Sequence, residues 1–414
     1  MKLNTTGVKF KTLCISHPLS LRIKEGMPRL VLNRLPLPAP ALPADRRQAG
    51  DNQEFTETGW CKIQDSQGVF LRWGVVDPLN NAIHLISSSE ADPVMDFVSR
   101  FEVAFNKRFA LKNLKGQALR LVNGPGDNLS GFTLDSYGST LILSLESWAL
   151  TGLVDYRLHE ALMSLKPEHI ILKIREKGHK RKGRIPERVL LGEPMQEKIS
   201  VQESGVSYLV QPMGSLDTGL FFDLRGARKE FALNAKDQGV LNLFSYTGAF
   251  SLVAALGGAR MVVSVDTSQE CHKWARENFQ LNDLGPKAER FRFIKDNVFH
   301  YIEKLLKRSE SYERIILDPP VRSIAGTGRF FLKSDLHKLV ASCLRILSPK
   351  GRLLVTDNTM QGTTDKLAQK INKGSETANI PCSIVKIFGP EPDFPVHPLW
   401  PKGQGVIAME VERT

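Results

Sequence analysis

No apolar run in this 414-residue sequence approaches the ~20 residues needed to span a bilayer, which points to a soluble protein without a membrane partner. Cysteine is sparse. Cys14, Cys61, Cys271, Cys343 and Cys382 are scattered, odd in number and without a C-x-x-C pair, which argues against a disulfide framework or a metal site and fits a reducing compartment. Two glycine motifs are also missing. There is no G-x-G-x-x-G for a dinucleotide and no GK[ST] for a P-loop, and there are no internal repeats. Acids are the scarcer charge: Lys+Arg 56 against Asp+Glu 44 gives a net charge of +12. Such an excess favours polyanion partners, although a basic surface that binds nothing has the same sum.

The first 26 residues carry Lys2, Lys9, Lys11, Arg22 and Lys24 against one acid, Glu25. They lack the arginine bias of an organellar presequence. Met27 could equally start the chain. The reading adopted is a disordered extension, 1–26, on a cytoplasmic protein, with an organellar address as the alternative.

LPLPAPALPA, 35–44, is barred by its prolines from a helix interior or a central strand. Beyond it, WCKIQDSQGVFLRWGVVDP predicts two short strands about a turn at Asp65–Gly68, and AIHLIS a third, so 27–90 reads as a small β-barrel. In 92–200 the spacing of Val94, Phe97, Val98, Phe101 and Phe105 predicts an amphipathic helix. Three strands, a second helix and the strand HIILKI follow, which makes an α+β module. KISVQESGVSYLVQP is a hairpin turning at Glu203-Ser204-Gly205. From there to 414 the texture becomes five βα units, which implies a parallel doubly wound α/β sheet; SIVKIF and GVIAMEVER add two strands.

VLNLFSYTGAFSLVAALGG, 240–258, is a buried strand turning tightly into a helix, the place where an open α/β sheet binds nucleotide-like ligands. Its single turn glycine, Gly248, suits a nucleoside without phosphates to wrap, and S-adenosylmethionine fits that description. Asp266 ends the next strand, where a carboxylate can accept both ribose hydroxyls. Asp296 ends the third and can accept from the adenine amino group, with Asn297 and Val298 beside the ring. Asp318-Pro319-Pro320 ends the fourth. Any one of these acids could simply cap a helix. The set on successive strand ends points to the cofactor.

These residues, with the upstream LDTGLFFDLRGAR (216–228) and LVNGPGDNLSGFTLDSYG (121–138), resemble class I S-adenosylmethionine-dependent 23S ribosomal RNA methyltransferases of the cytosine-C5 group. The resemblance implies a Rossmann-like seven-stranded sheet behind a PUA-type RNA-binding module and a central α+β domain. It implies that Thr218, Phe221, Asp223 and Arg225 line the approach to the cofactor. Phe244, Ser245, Tyr246, Thr247 and Gly248 would face its methionine end, and Asp266, Thr267 and Ser268 its ribose. Asp296 and Asn297 would meet the adenine, and Asp318, Pro319 and Pro320 the target base. Arg225 and Arg228 have a plain alternative as structural ion pairs.

The sequence departs from that group in two places. Cytosine C5 needs a cysteine thiolate to add at C6. Where the group carries that cysteine, after the fifth strand, this chain reads Leu354-Val355-Thr356-Asp357-Asn358-Thr359-Met360. After the two prolines, Val321-Arg322-Ser323 replaces a lysine and an aromatic. Asp357-Asn358 resembles the turn of a related group that methylates guanine N7, already a nucleophile. The expectation is a base methyltransferase of ribosomal RNA without a covalent intermediate, Asp318 and Asn358 orienting the base. A small-molecule or protein methyltransferase and an inactive RNA-binding homologue are the alternatives. Lys177, Lys180, Arg181, Lys182 and Arg184 form the densest basic cluster and are expected to contact RNA phosphates. His397 reads as a loop histidine, with a base as its sharper alternative; no metal is implied, and a homodimer is left open.

Overall fold

The computed structural model describes residues 11–32, 57–175, 187–215, 217–285, 289–325, 328–359, 363–400 and 405–414. The basic cluster at 177–184 lies outside the described residues.

The expected seven-stranded α/β sheet is present. Its spatial order is Phe291–Lys295, Met261–Asp266, Gly239–Leu243, Tyr312–Leu317, Leu347–Asp357, Ile407–Arg413 and Cys382–Phe388. The first five are parallel, Ile407–Arg413 runs antiparallel to them, and Cys382–Phe388, antiparallel to its neighbour in turn, points the same way as the first five. Alternate residues serve opposite faces. Val240, Val262, Ile316 and Leu354 enter one core, while Leu241, Val263, Ile315 and Leu353 enter the other. Burial on both faces explains why these strands read as unbroken apolar runs. The chain leaves Gly239–Leu243 towards Met261–Asp266 on one side and later returns to Tyr312–Leu317 on the other. Carboxyl ends diverge at such a reversal and leave a crevice.

The central five-stranded sheet runs Glu187–Leu191, His169–Ile174, Thr140–Leu145, Phe132–Tyr137, Leu119–Asn123. The helix Pro93–Phe109 covers it with Val94, Phe97, Val98, Phe101 and Phe105, the predicted stripe, all buried. The hairpin Ile199–Glu203 with Val206–Val210 docks on the helix Gln269–Leu281, where Asn278 accepts from the Leu209 amide at 2.8 Å and Trp274 donates to its carbonyl at 2.9 Å.

The N-terminal sheet corrects one expectation. Its order is Lys11–Cys14, Gly59–Gln64, Phe70–Asp77, Ala82–Ser87, Arg29–Val31. The supposed disordered extension therefore supplies an edge strand, paired parallel to Gly59–Gln64, and a helix, His17–Lys24. Leu13, Ile15 and Ile23 are buried in the module's core. Apolar burial holds this segment, and its short polar strand gave little periodicity to read.

Candidate active site

The crevice at the sheet's switch point is a cavity of about 760 Å³, within the usual range for small-molecule sites. Its floor is the turn after Gly239–Leu243. Phe244 and Tyr246 both adopt left-handed backbone, with φ of 59° and 49°. Such strain persists only where surrounding bonds enforce it. Here the Ser245 amide donates to Val265 O at 3.0 Å, the Tyr246 amide to Asp266 Oδ2 at 3.0 Å, and Thr247 Oγ1 to Gly219 O at 2.6 Å. Gly248, at φ 77°, opens the helix Ala249–Leu256, and a Cβ there would meet Ala275 Cβ at 2.8 Å. Close packing thus requires the one glycine of this turn.

Most of the residues expected at the site are brought together. Phe221, Asp223, Phe244, Ser245, Tyr246, Thr247, Asp266, Thr267, Asn297, Asp318, Pro320 and Asn358 all line the cavity. Three buried polar atoms there have no partner among the described residues: Asp223 Oδ1, Ser245 Oγ and Asn358 Oδ1. A buried polar atom without a bond costs about 1–3 kcal/mol, so these atoms mark where a polar ligand fits. Asp318 accepts from Thr356 Oγ1, and burial pushes its carboxyl up to about 6, with Thr356 acting the other way. Burial also raises Asp223, against the pull of Arg120 and Arg228. Asn358 donates to Pro319 O at 3.4 Å, which leaves its own carbonyl for the cavity.

Six of the expected residues do not line the cavity: Gly248, which packs the turn against Ala275, and five others. Asp296 holds His300 Nδ1 at 3.0 Å and Lys304 Nζ at 2.9 Å, so its carboxylate is engaged on its own helix's side. Thr218 bonds Tyr137 Oη at 2.6 Å, and Ser268 caps its helix by accepting from Cys271 N at 3.2 Å. Pro319 contributes its carbonyl to Asn358. Arg225 is a structural ion-pair former, the plain alternative: it grips Asp393 Oδ1 at 2.9 Å and the Ala118 carbonyl at 2.9 Å. Arg228 does line the cavity, but it pairs with Glu203 at 2.7 and 2.8 Å. His397 lies against the N-terminal module, near Gly26, and Trp400 packs into that module's core.

Sequence reading missed one wall entirely. Arg120 and Asn123 reach the cavity from the central sheet, and Phe394 from the loop before the last strand. The Arg120 guanidinium lies 4.8 Å from the Phe394 ring centroid and is held by Asp135 and, at 3.1 Å, by Asn123 Oδ1. The available signal was a polar Arg and Asn within an otherwise apolar strand, LRLVN. None of the five cysteines lines the cavity.

Comparison with known proteins assigns the fold to a class. A family model described as S-adenosylmethionine-dependent methyltransferase matches residues 160–397. The ribosomal RNA large subunit methyltransferase I of Cronobacter sakazakii is 30% identical over 356 residues, covering 82% of this chain and 87% of that protein. Its namesake in Klebsiella pneumoniae strain 342 is equally similar, over 86% of its length. The crystal structure of SMU.776 complexed with SAH superposes with a TM-score of 0.82 at 25% identity, covering 97% of this chain and 100% of that one. The chain therefore belongs to the S-adenosylmethionine-dependent methyltransferases and, within them, to the family of ribosomal RNA large subunit methyltransferase I. It is an enzyme of that class with S-adenosylmethionine as cofactor, and the unpartnered Asp223 and Ser245 atoms beside the Phe244–Gly248 turn fit such a group.

Proposed function

We propose that this enzyme methylates a base of large-subunit ribosomal RNA at a nitrogen that is itself nucleophilic, with no covalent enzyme–RNA intermediate. The observation that carries the reading is the cavity's lack of cysteine. Cys343 is buried within the helix Leu332–Arg345, Cys382 lies in a strand at the far edge of the sheet, and Cys271 sits in the helix behind Asp266. A carbon such as cytosine C5 cannot be alkylated there without a thiolate to activate it. A ring nitrogen needs only orientation and exclusion of water.

Asp266, with Thr267, would hold the ribose, and Asn297 and Val298 the adenine. The Phe244–Gly248 turn would face the methionine end, with Phe221 and Asp223 at its approach. When bound, S-adenosylmethionine supplies an electrophilic methyl on a sulfonium. Asp318 and Asn358 would fix the base by accepting its donor groups, in a site walled by Arg120, Asn123 and Phe394. The acceptor character of Asp318 and Asn358 Oδ1 favours guanine, whose N1–H and N2–H₂ adjoin. The N-terminal module is read as a PUA-type RNA-binding domain and the basic segment 177–184 as a phosphate contact. Work on ribosomal RNA would place the enzyme in the cytoplasm. No helix among the described residues is long and apolar enough to cross a membrane.

The test is product identification. Labelled S-adenosylmethionine and unmodified large-subunit RNA are incubated with the enzyme, and the RNA is digested to nucleosides. A methylated purine, 7-methylguanosine foremost, is expected; 5-methylcytidine would overturn the proposal.

A further inference from the structure

Directly after Pro319-Pro320 the chain forms a hairpin, Arg322–Ala325 paired with Gly328–Phe331, that sequence reading did not anticipate. Its register pairs Arg322 with Phe331 and Ser323 with Phe330. Paired residues share a face and neighbours along a strand alternate, so the two faces differ in kind. The inner face is anchored: Phe330 is 3% exposed against Phe299, ring centroids 5.4 Å apart, and Ser323 lines the cavity. The outer face carries Arg322, Arg329 and Phe331, all exposed. Arg322 lies 5.8 Å from the Phe331 ring centroid, and Lys333 is exposed just beyond.

Phe331, 39% exposed, and Val321 form an apolar patch rimmed by arginines, the form an interaction site takes. Asp335, close by in sequence, is engaged by the Phe331 amide at 3.0 Å and by Lys338 at 3.2 Å. Among the described residues neither arginine forms an ion pair with a carboxylate. The hairpin is also continuous with the site, because Val321, 47% exposed at its base, lines the cavity together with Ser323 and Pro320. Cations to neutralise phosphates, alternating with an aromatic to stack a base, are the equipment of single-stranded nucleic-acid binding.

We propose that this outer face is a docking lip for the RNA strand that carries the target nucleotide. Arg322 and Arg329 take backbone phosphates beside the target, and Phe331 stacks an adjacent unpaired base. The lip replaces, from outside the cavity, the stacking aromatic that the chain lacks after its two prolines. This inference rests on the reading of the substrate as RNA, and the experiment separates the two.

The full-length enzyme and its R322Q/R329Q and F331A variants are titrated with unmodified large-subunit RNA and with oligouridylate across a salt series, and methyl transfer is measured in parallel. Cofactor affinity by calorimetry reports whether each variant is folded. Losing two phosphate contacts should weaken RNA binding about ten-fold or more and flatten the slope of log K against log salt by about 1.4. Phe331→Ala should lower affinity for both RNAs without changing that slope. Unchanged cofactor affinity is expected throughout. An R322Q/R329Q variant with wild-type RNA affinity and slope would overturn the lip while leaving the RNA reaction standing. Salt-dependent binding that the variant loses, with no methyl transfer to RNA by the wild type, would overturn the reaction and keep the lip. An acidic protein that binds the hairpin where RNA does not would overturn both.

Discussion

At the scale of single residues, three carboxylates at strand ends have separable consequences. Asp318 is partly buried in the cavity wall, and burial pushes its carboxyl up to about 6, above the roughly 3.9 of a solvated aspartate. The folded protein thus holds this proton more tightly than the unfolded chain, and stability falls as pH rises from about 4 to about 6. An asparagine at this position would carry no such penalty. Asp318→Asn should therefore gain roughly 2–3 kcal/mol over wild type at about pH 7.5 and nothing at about pH 4, measured by denaturant midpoints. The same variant should lose about a hundred-fold in kcat/KM, as expected when a positioned acceptor is removed from a water-poor site. A stability gain that is equal at both pH values would contradict this account of Asp318. Asp266 and Asp296 make a second contrast. Asp266 lines the cavity and also accepts the amides of Tyr246 and, at 2.9 Å, Ser268. Asp266→Ala should weaken cofactor binding roughly 10- to 100-fold by calorimetry. Asp296→Ala should stay within about two-fold and cost at most about 1 kcal/mol, since it removes a partly exposed pair with Lys304. Equal losses of affinity in both variants would return Asp296 to the adenine.

At the scale of elements, a chain shortened to start at Met27 should lose the strand Lys11–Cys14 and the helix His17–Lys24. Burying an aliphatic side chain contributes about 1.5–3 kcal/mol, so removing Leu13, Ile15 and Ile23 costs several kcal/mol. Limited proteolysis should then cut within 57–87, while cofactor affinity stays unchanged because no described residue before Arg120 lines the cavity. Resistance equal to that of the full chain would mean the segment is dispensable after all. The contrast between elements explains what a reader of the sequence can see. Parallel strands such as Val240–Leu243 and Ile315–Leu317 are buried on both sides and announce themselves as apolar runs, and the ligand turn follows because it must sit where the run stops. KTLC and the hairpin strands RSIA and GRFF are short and half polar, and they owe their structure to the surfaces they lie on. Local pattern cannot carry that information. Asp296 shows a related limit: its strand end is legible, but Lys304, which shares its carboxylate, lies two turns along the following helix, and only three dimensions bring the two together.

At the scale of the whole molecule, the site is assembled from parts far apart in the chain, and Asp393, 273 residues beyond Arg120, is where they meet. It is 0% exposed. Its carboxylate accepts from Arg225 of the methyltransferase sheet's layer at 2.9 Å and from the Arg120 amide of the central sheet at 2.9 Å, while its carbonyl accepts from Arg108 at 3.1 Å. Arg108 in turn grips Asp127 with two bonds of 2.6 Å. The next residue is Phe394, whose ring meets the Arg120 guanidinium in the cavity wall. Asp393 therefore fixes, in one atom group, the register of two domains and the position of the wall facing Asp318. Asp393→Ala takes the nearer carboxylate from the buried Arg225, leaving it Glu203 at 3.6 Å, and should cost up to about 3–5 kcal/mol. Removing the Arg225 charge as well, in D393A/R225M, should recover part of that loss, since replacing both members of a buried pair is far less costly than breaking it. Methyl transfer should respond differently. In the double variant the bond between Asp393 and the Arg120 amide is lost, which loosens Phe394 beside it while Asp135 and Asn123 still hold the Arg120 guanidinium. There kcat should stay depressed, while cofactor affinity, proposed to rest on the turn at Phe244–Gly248 and on Asp266, remains close to wild type. Stability and rate thus separate across this cycle, with denaturant midpoints reporting the first and single-turnover assays the second. A double variant that regains full rate together with its stability would show that the wall needs no such tether, and that Asp393 serves the fold alone.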